Sequence, residues 1–241
     1  RTTPATGSPD SLYLSSFVPS SDSMKGTRRA YLSAVAAGAA TGLAGCLGGG
    51  GNGNTGDCDI GNPEQVTQQE NPALGNPDSS VTVQVFEDFS CPHCATYNND
   101  IFPDVRADFV DTGDVQYVHH DLPLPVNERW SWKVPSAARA VFAETDAETF
   151  FEYTKAVFGE IDNYSMDVLD SLADDVGASG CDARSAAIND TYRPVLEADR
   201  QRAIDMAGDQ RIGTPAVFVN GSYLGSYQYA DIENAIRQAQ G

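Results

Sequence analysis

The amino-acid sequence predicts an α/β domain over residues 80–241, in which helices flank a central mixed sheet and a helical subdomain is inserted. Two observations carry this prediction. Apolar and polar residues alternate over 81–85, and a short apolar run fills 216–219; both patterns are expected of strands. Between these segments, over about 133–210, apolar residues recur at helical spacing instead. Helices that separate two strand-forming parts of one chain are expected to form a subdomain attached to a single sheet.

The first part of the domain has the order strand, helix, strand. Valine occupies every second position over 81–85, and a helical pattern runs from about 92 to 109. Pro103 is expected to kink or split that helix, because proline removes a backbone hydrogen bond and clashes with the preceding turn. A second strand is expected over 115–119, where the sequence is Val-Gln-Tyr-Val-His. Together these elements form a βαβ unit.

The last part of the domain predicts a hairpin and a closing helix. Apolar residues fill 216–219, and Asn220-Gly221 separates them from Tyr223-Leu224. Asn-Gly between two apolar runs is a strong signal for a two-residue hairpin turn, because both residues adopt positive φ readily. A final helix is expected over 229–238. The aromatic and aliphatic stripes of the preceding helical region are interpreted as core positions and not as a cofactor site.

The composition is strongly acidic. The chain carries 34 acidic and 15 basic residues, a formal net charge of −19. Nucleic-acid binding is excluded as a function, because it needs lysine and arginine to displace the counterions of the phosphates. The balance resembles the acid-rich, lysine-poor surfaces of proteins from extreme halophiles, and an ordinary acidic protein is the alternative. We expect the domain to require concentrated salt, since about 1 M salt shortens the Debye length to roughly 3 Å and screens self-repulsion.

Residues 24–45 have the order of an export signal. Arg28-Arg29 precedes a short apolar run that is rich in Ala and Gly. The arginine pair resembles a twin-arginine signal, and Leu43-Ala44-Gly45-Cys46 resembles a lipobox, in which the cysteine carries a lipid. A spanning helix needs about 20 strongly apolar residues, and this run is shorter. The sequence therefore predicts an exported protein held at the outer face of the cytoplasmic membrane by lipid on Cys46.

Two further segments flank this signal. Residues 1–23 are rich in Ser, Thr and Pro and precede Met24, where the signal begins. We expect them to be a non-native or misassigned extension, with translation starting at Met24. Residues 46–79 begin with a run of glycine and asparagine and are expected to be a flexible linker. Such a linker allows a folded domain to stand away from a membrane surface.

Cys91-Pro92-His93-Cys94 lies where the first predicted strand turns into a helix. Unpaired backbone N–H groups at a helix N-terminus favour an anion, so they stabilise the Cys91 thiolate. The thiolate is the species that attacks a disulfide. His93 adds a positive or hydrogen-bonding group beside the sulfur, and Cys94, one turn later, is positioned to resolve a mixed disulfide. The motif predicts dithiol chemistry that requires no metal and no organic cofactor.

The motif Phe89-Ser90-Cys91-Pro92-His93-Cys94 after a strand, with Gly213-Thr214-Pro215 before another strand, resembles the DsbA-like disulfide oxidoreductases of the thioredoxin superfamily. The resemblance covers about residues 80–241 and implies a thioredoxin-like fold with a helical insertion. It implies that Cys91 is the nucleophile and that Cys94 is the resolving thiol. It also implies that Pro215 is a cis-proline facing the dithiol, with the Thr214 backbone exposed to an extended substrate.

The sequence departs from that family at one position. Many relatives carry a buried acid six residues before the first cysteine, where this chain has Val85. Glu87 and Asp88 lie closer to the dithiol, and some relatives have an acid at the second of these positions. Two interpretations of these acids are open. Either residue could transfer protons to Cys94, or, more simply, both are exposed acids. His119-His120, at the end of the second strand, is interpreted as structural or solvated and not as catalytic.

The cysteines leave alternatives open. A CxxC motif also occurs in zinc sites, but a structural zinc site needs four ligands and the chain has no second CxxC. A purely structural disulfide is disfavoured, since a two-residue spacer at a helix start gives a strained, reactive ring. With Cys46 assigned to lipid and Cys91 and Cys94 to catalysis, Cys58 and Cys181 remain. Two arrangements fit them, a structural disulfide or a buried free thiol at Cys181.

Three functions are compatible with these residues. The first is a dithiol oxidase for exported proteins with cysteine thiols, regenerated by a membrane or small-molecule oxidant. The second is a lipid-anchored reductase or isomerase, because the direction of exchange depends on the reduction potential. Pro-His between the cysteines favours the oxidase. The third is a binding or chaperone module that uses the groove near Pro215 without turnover.

Overall fold

The computed structural model describes residues 58–241. The predicted extension over 1–23, the predicted signal over 24–45 and the predicted lipid site at Cys46 lie outside the described residues. Within 58–241, no helix combines the length and the apolar character needed to cross a membrane. The described chain contains the predicted α/β domain, with a mixed sheet, flanking helices and a helical insertion.

The sheet has five strands in the order β1-β3-β2-β4-β5. Their bounds are β1 Ala73–Gly75, β2 Thr82–Glu87, β3 Gln116–Asp121, β4 Ala216–Val219 and β5 Ser222–Tyr223. The central strand β2 is parallel to β3 and antiparallel to β4, so the sheet is mixed as predicted. The hairpin β4–β5 turns at Asn220-Gly221, where both residues have the positive φ that such a turn requires.

Eight helices surround the sheet in the described part of the chain. Their bounds are α1 Pro92–Thr96, α2 Phe102–Val105, α3 Trp130–Glu144, α4 Ala147–Gly159, α5 Met166–Asp175, α6 Gly180–Asn189, α7 Arg193–Ala207 and α8 Tyr229–Gln240. Helices α3 to α7 form the insertion, within three residues of the predicted bounds. The stretch 92–110 remains helical but widens into π-helical turns before and after α2. Pro103 lies in the first turn of α2, where its missing N–H is not needed.

The flexible linker predicted over 46–79 is wrong for its second half. Residues Ala73–Gly75 form the edge strand β1, which pairs antiparallel with β3. Upstream of that strand, the Val66 N–H donates to the Thr191 carbonyl at 2.8 Å. Composition predicts a linker from the glycine-rich run near residue 48 up to residue 81, where the first alternating strand pattern begins. A three-residue edge strand is too short to give such a pattern, and its position depends on a partner more than 40 residues later.

Cys58 forms a disulfide with Cys181, which is one of the two arrangements that the sequence left open. Cys181 lies in the first turn of α6, so the bond joins the N-terminal segment to the helical insertion. The Ser185 hydroxyl, one turn further along α6, donates to the Ile60 carbonyl at 2.6 Å. The disulfide closes a loop of 123 residues in sequence separation, and it therefore restricts the unfolded chain strongly.

A buried ion-pair network joins the inserted helices to the sheet. Arg139 of α3 is fully buried; its Nε donates to Asp121 Oδ2 at 2.7 Å and its Nη2 to Asp199 Oδ2 at 2.6 Å. Its Nη1 donates to the Glu70 carbonyl at 3.2 Å. Asp121 ends β3 and Asp199 lies on α7, so one guanidinium connects the sheet, two inserted helices and the N-terminal segment. The network fixes the insertion against the carboxyl end of the parallel strand pair.

We predict that Arg139→Met lowers the free energy of unfolding by about 3 to 5 kcal/mol, because it leaves two buried carboxylates without their cation. Denaturant unfolding in concentrated salt measures the loss. Arg237→Met is the matched control, since the ion pair of Arg237 with Glu233 lies on the exposed face of α8. We expect that variant to lose less than about 1 kcal/mol. Equal losses in the two variants would contradict a structural role for the buried network.

Candidate active site

The predicted dithiol lies at the carboxyl end of the central strand. After β2 the chain turns at residues 88–90, and the Cys91 N–H donates to the Asp88 carbonyl at 2.9 Å. Cys91 has extended backbone angles and caps the helix, with Pro92 in the first helical position. Proline is favoured there because that position needs no N–H and its φ is already helical. The Cys91 sulfur is thus held at the start of the helical stretch 92–110.

Cys91 is the thiol with the greater acidity. Its side chain is 6% exposed, and its Sγ lies 3.3 Å from the Thr214 carbonyl. The pKa of Cys91 is lowered to about 5, chiefly by a hydrogen bond from the Cys94 thiol, while burial acts in the opposite direction. The Thr214 side chain and the backbone N–H groups of Cys94 and His93 lower this pKa further by hydrogen bonding. At neutral pH the Cys91 sulfur is therefore an anion.

Cys94 is the less acidic of the two thiols. Its side chain is fully buried, and burial is the main cause that raises the pKa of Cys94 well above its ordinary value. The hydrogen bond to Cys91 and the charge of Glu87 raise this pKa further. Cys94 consequently keeps its proton while Cys91 loses its own. The pair carries one negative charge, and that charge is on the more accessible sulfur.

The Thr214–Pro215 peptide bond is cis and follows the Gly213 loop directly into β4. Pro215 is buried, and Thr214 is half-buried beside Cys91. The two parts of the motif that the sequence separates by more than a hundred residues therefore meet, as the resemblance implied. The contact is the one between Cys91 Sγ and the Thr214 carbonyl. Pro92 and His93 are exposed at the surface of the same site.

Tyr227 is a neighbour of the dithiol that the sequence does not predict. Its hydroxyl lies 3.0 Å from Nδ1 of His93. Tyr227 lies in the loop between β5 and α8, 134 residues after His93. A single tyrosine in a polar loop gives no pattern that links it to a distant motif, so only the fold reveals this contact.

Glu87 is buried beside Cys94, which corrects the simpler interpretation of an exposed acid. It is 1% exposed at the end of β2. The Asn98 side-chain amide donates to Glu87 Oε1 at 2.5 Å and to the Cys94 carbonyl at 3.1 Å, so it links the carboxyl to the cysteine's helix. Nδ1 of His119 lies 3.3 Å from Glu87 Oε2. Burial raises the pKa of Glu87 above its ordinary value, although His119 and Asn98 partly offset it.

His119 and His120 are both buried, which supports the structural interpretation and excludes the solvated one. Nε2 of His119 lies 3.4 Å from Asp121 Oδ1, so His119 stands between two carboxyl groups. Burial acts to lower the pKa of His119, but the hydrogen bonds and charges of Asp121 and Glu87 outweigh it and raise the pKa to about 9. His120 Nδ1 contacts Asp199 at 3.1 Å and belongs to the Arg139 network.

Asp88 is also buried, at 1% exposure, directly after the end of β2. The Ser90 N–H donates to Asp88 Oδ1 at 2.8 Å, and Oδ2 has no hydrogen-bond partner among the described residues. Burial raises the pKa of Asp88 to about 6, and the hydrogen bond from Ser90 partly offsets this shift. The prediction of an exposed acid is therefore wrong here too. An acid-rich composition made it the simpler interpretation, since burial at a strand end depends on distant elements.

The fold and the dithiol have counterparts among known proteins. A family model described as Thioredoxin matches residues 67–238. The chain belongs to the thioredoxin family. Disulfide bond formation protein D of Bacillus subtilis is 25% identical over 171 residues, covering 69% of this chain and 76% of that protein. A protein-disulfide oxidoreductase of Rickettsia conorii is 28% identical over 174 residues, which span 59% of the relative's length.

Solved structures agree with this thioredoxin-family assignment. The crystal structure of oxidised BdbD from Bacillus subtilis has a TM-score of 0.62 and 24% identity, covering 74% of this chain and all of the other. Chlamydia trachomatis DsbA has a TM-score of 0.65 and 20% identity, covering 74% of this chain and 96% of the other. The predicted thioredoxin-like fold and the predicted resemblance to DsbA-like thiol–disulfide oxidoreductases are confirmed.

The thioredoxin-family site brings together nearly all of the predicted residues and adds three. The described chain has Cys91, Cys94 and Thr214 in contact, with the remaining predicted residues around them. The additions are Tyr227, which the sequence does not predict, Glu87, whose role the sequence left open, and His119, which it did not interpret as catalytic. Among residues 58–241, no group of three or more His, Cys, Asp and Glu side chains is arranged to hold a metal ion. The chemistry that this arrangement supports is exchange at one acidic thiol, with a buried partner thiol and buried acids behind it.

Proposed function

We propose that this protein oxidises substrate dithiols through a Cys91–Cys94 disulfide. The observation that carries the proposal is the lowered pKa of Cys91, to about 5, beside a buried Cys94 that keeps its proton. A stabilised thiolate favours the reduced form of the dithiol, so the disulfide form is a stronger oxidant. The Bacillus subtilis relative is named for disulfide bond formation, which supports the same direction.

In the proposed reaction a substrate thiolate attacks the Sγ of Cys91. A substrate–Cys91 disulfide forms, the Cys91–Cys94 bond breaks, and its electron pair leaves with Cys94. A second substrate thiolate then attacks the substrate sulfur, and Cys91 leaves as a stable thiolate. The substrate dithiol is oxidised and the protein dithiol is reduced by two electrons. A membrane or small-molecule oxidant accepts those electrons and restores the disulfide.

Glu87 is the proposed proton partner of Cys94. A buried thiolate at Cys94 is unfavourable, so the departing sulfur must gain a proton at once. Glu87 has a raised pKa, lies close enough for its charge to act on Cys94, and is coupled to it through Asn98. A proton that moves between two buried groups leaves the net buried charge unchanged. In the reverse half-reaction, the Glu87 carboxylate accepts the proton when Cys94 attacks.

Two other functions are the alternatives. The same residues support a reductase or isomerase, and a binding or chaperone module would use the groove near Pro215 without turnover. The strongly acidic thiol at Cys91 favours the oxidase over a reductase. A binding module has no need of two thiols with opposite proton affinity, so the geometry of the dithiol favours an enzyme.

The reduction potential of the dithiol tests the direction. We expect a value near or above about −180 mV when the protein is equilibrated with thiol buffers in concentrated salt. A value near or below about −270 mV would identify a reductase instead. Cys91→Ser must abolish turnover for any enzyme. Cys94→Ser cannot form the Cys91–Cys94 disulfide, but it should retain attack by Cys91 on a disulfide substrate and accumulate the mixed disulfide. Turnover that persists in Cys91→Ser would contradict the proposed chemistry.

We predict that Glu87→Gln slows resolution by Cys94 at least about 100-fold, the usual lower bound for a lost acid–base group. The reduced protein is mixed with an aromatic disulfide that releases a coloured thiolate. The first phase reports attack by Cys91, and the second reports attack by Cys94. Asp88→Asn makes the same chemical change at the adjacent buried residue, and it is the comparison because the charge of Asp88 is coupled to Cys91, so it should alter the first phase and leave the second unchanged. A second phase with wild-type rate and pH dependence in Glu87→Gln would contradict the role of Glu87.

The proposed setting is the outer face of the cytoplasmic membrane, with exported proteins as substrates. The twin-arginine pattern and the lipobox-like sequence before Cys46 support it, as does an acidic composition suited to a saline medium. Expressed in cells with its signal, the chain is expected in the membrane fraction, and Cys46→Ser should shift it to the soluble exported fraction. Cys58→Ser is the control, since it removes a cysteine without affecting the lipobox. Equal distributions of Cys46→Ser and the parent chain would contradict the lipid anchor.

A further inference from the structure

His93 is anchored by a side chain from the other end of the domain. It occupies the second position between the two cysteines, and its imidazole is exposed at the surface. The hydroxyl of Tyr227 lies 3.0 Å from its Nδ1, and the two ring centroids are 5.9 Å apart with an angle of 46° between the planes. The contact is therefore made edge to edge through the polar atoms and not by stacking.

The loop that carries Tyr227 is braced by α8. The Ser226 hydroxyl donates to Asp231 Oδ2 at 2.5 Å, and the Gln228 N–H donates to the Ser226 hydroxyl at 3.2 Å. The Asp231 N–H donates to the Gln228 carbonyl at 3.0 Å, which closes the first turn of the helix. Tyr227 itself is half-buried and packs against the main hydrophobic core. The fold therefore holds the Tyr227 hydroxyl in a fixed position. Its contact with His93 requires little further ordering of the tyrosine side chain.

A phenol at Nδ1 limits what His93 can do. In the neutral tautomer with its proton on Nε2, the phenol donates to Nδ1, whereas in the Nδ1–H tautomer Nδ1 donates to the phenol oxygen. In the imidazolium the Nδ1–H donates to the phenol oxygen, and Nε2 again carries a proton. The imidazolium and the neutral tautomer that accepts from the phenol both hold the ring plane and present Nε2–H as a hydrogen-bond donor. A hydrogen-bond donor on the residue between the two cysteines favours the thiolate over the neutral thiol.

We propose that Tyr227 is a positioning residue for His93, and that it stabilises the reduced dithiol by keeping the imidazole Nε2–H available to the thiolate at Cys91. This inference rests on the proposed oxidase function. The thiolate exists only in the reduced protein, so the contact shifts the equilibrium toward reduction of the protein and oxidation of the substrate. The residue between the cysteines thus acts together with a loop that follows the last strand.

A double-mutant cycle tests this proposal. The proteins are the parent chain, Tyr227→Phe, His93→Ala and the double variant, each carried as the complete chain in concentrated salt. The pH midpoint of the thiolate ultraviolet absorbance reports Cys91, and equilibration with glutathione reports the stability of the disulfide. Tyr227→Phe should raise the midpoint and lower the equilibrium constant for oxidation of thiols about threefold to tenfold, the range for one lost hydrogen bond. In the His93→Ala background, the same change should have no effect.

Tyr229→Phe is the matched control, because it removes a hydroxyl from the adjoining helix that contacts Asp108 and not His93. It should leave both measurements unchanged. The proposal would be overturned if Tyr227→Phe had the same pH midpoint and equilibrium constant as the parent chain. It would also be overturned if Tyr227→Phe had an equal effect with and without His93, and the contact would then be purely structural. If the parent dithiol itself proves to be reducing, the oxidase function fails, whereas the ratio between Tyr227→Phe and the parent still measures the role of Tyr227.

Discussion

The interaction on which the site depends is the burial of Arg139 between two carboxylates. A guanidinium without solvent must have anionic partners, and Asp121 and Asp199 supply them at 2.7 and 2.6 Å. Asp121 is also the residue that pairs in register with Glu87 across the parallel strands. The charge that holds the helical insertion in place is consequently next to the acid behind the dithiol. The same buried charges therefore dock the helical insertion and contribute to the electrostatics of the site.

From this network the asymmetry of the two thiols follows. Asp121 helps to keep His119 protonated, and the resulting cation stands against Glu87 in a region without solvent. Glu87 in turn acts on Cys94, whose burial already disfavours its thiolate. Cys91, one turn earlier, caps the same helix with 6% of its side chain exposed and receives hydrogen bonds to its sulfur. One face of the dithiol is thus suited to attack by substrate, and the other to proton exchange within the protein.

The parts predicted correctly from sequence are those encoded by short patterns. The strand–helix turn at Cys91, the Asn220-Gly221 hairpin and the helical insertion each depend on neighbouring residues and their period. The parts that were missed depend on distant contacts. The burial of Glu87 requires the helical stretch 92–110 and β3 to cover a strand end, and the Tyr227 contact spans 134 residues. Strand β1 is three residues long, which is too short for periodicity to distinguish from a linker.

Because the composition is acidic, the buried cations and hydrogen bonds near the dithiol are important for stabilising the Cys91 thiolate. A chain with net charge −19 disfavours an additional anion such as the Cys91 thiolate. Salt screens surface charges at distances beyond a few ångströms, whereas buried pairs are screened much less. Arg139, His119 and the hydrogen bonds to Cys91 are all shielded from solvent, so they act on the dithiol at any salt concentration that keeps the domain folded. The surface charge therefore responds to the salt of the medium, while these buried groups act on the thiols independently of it.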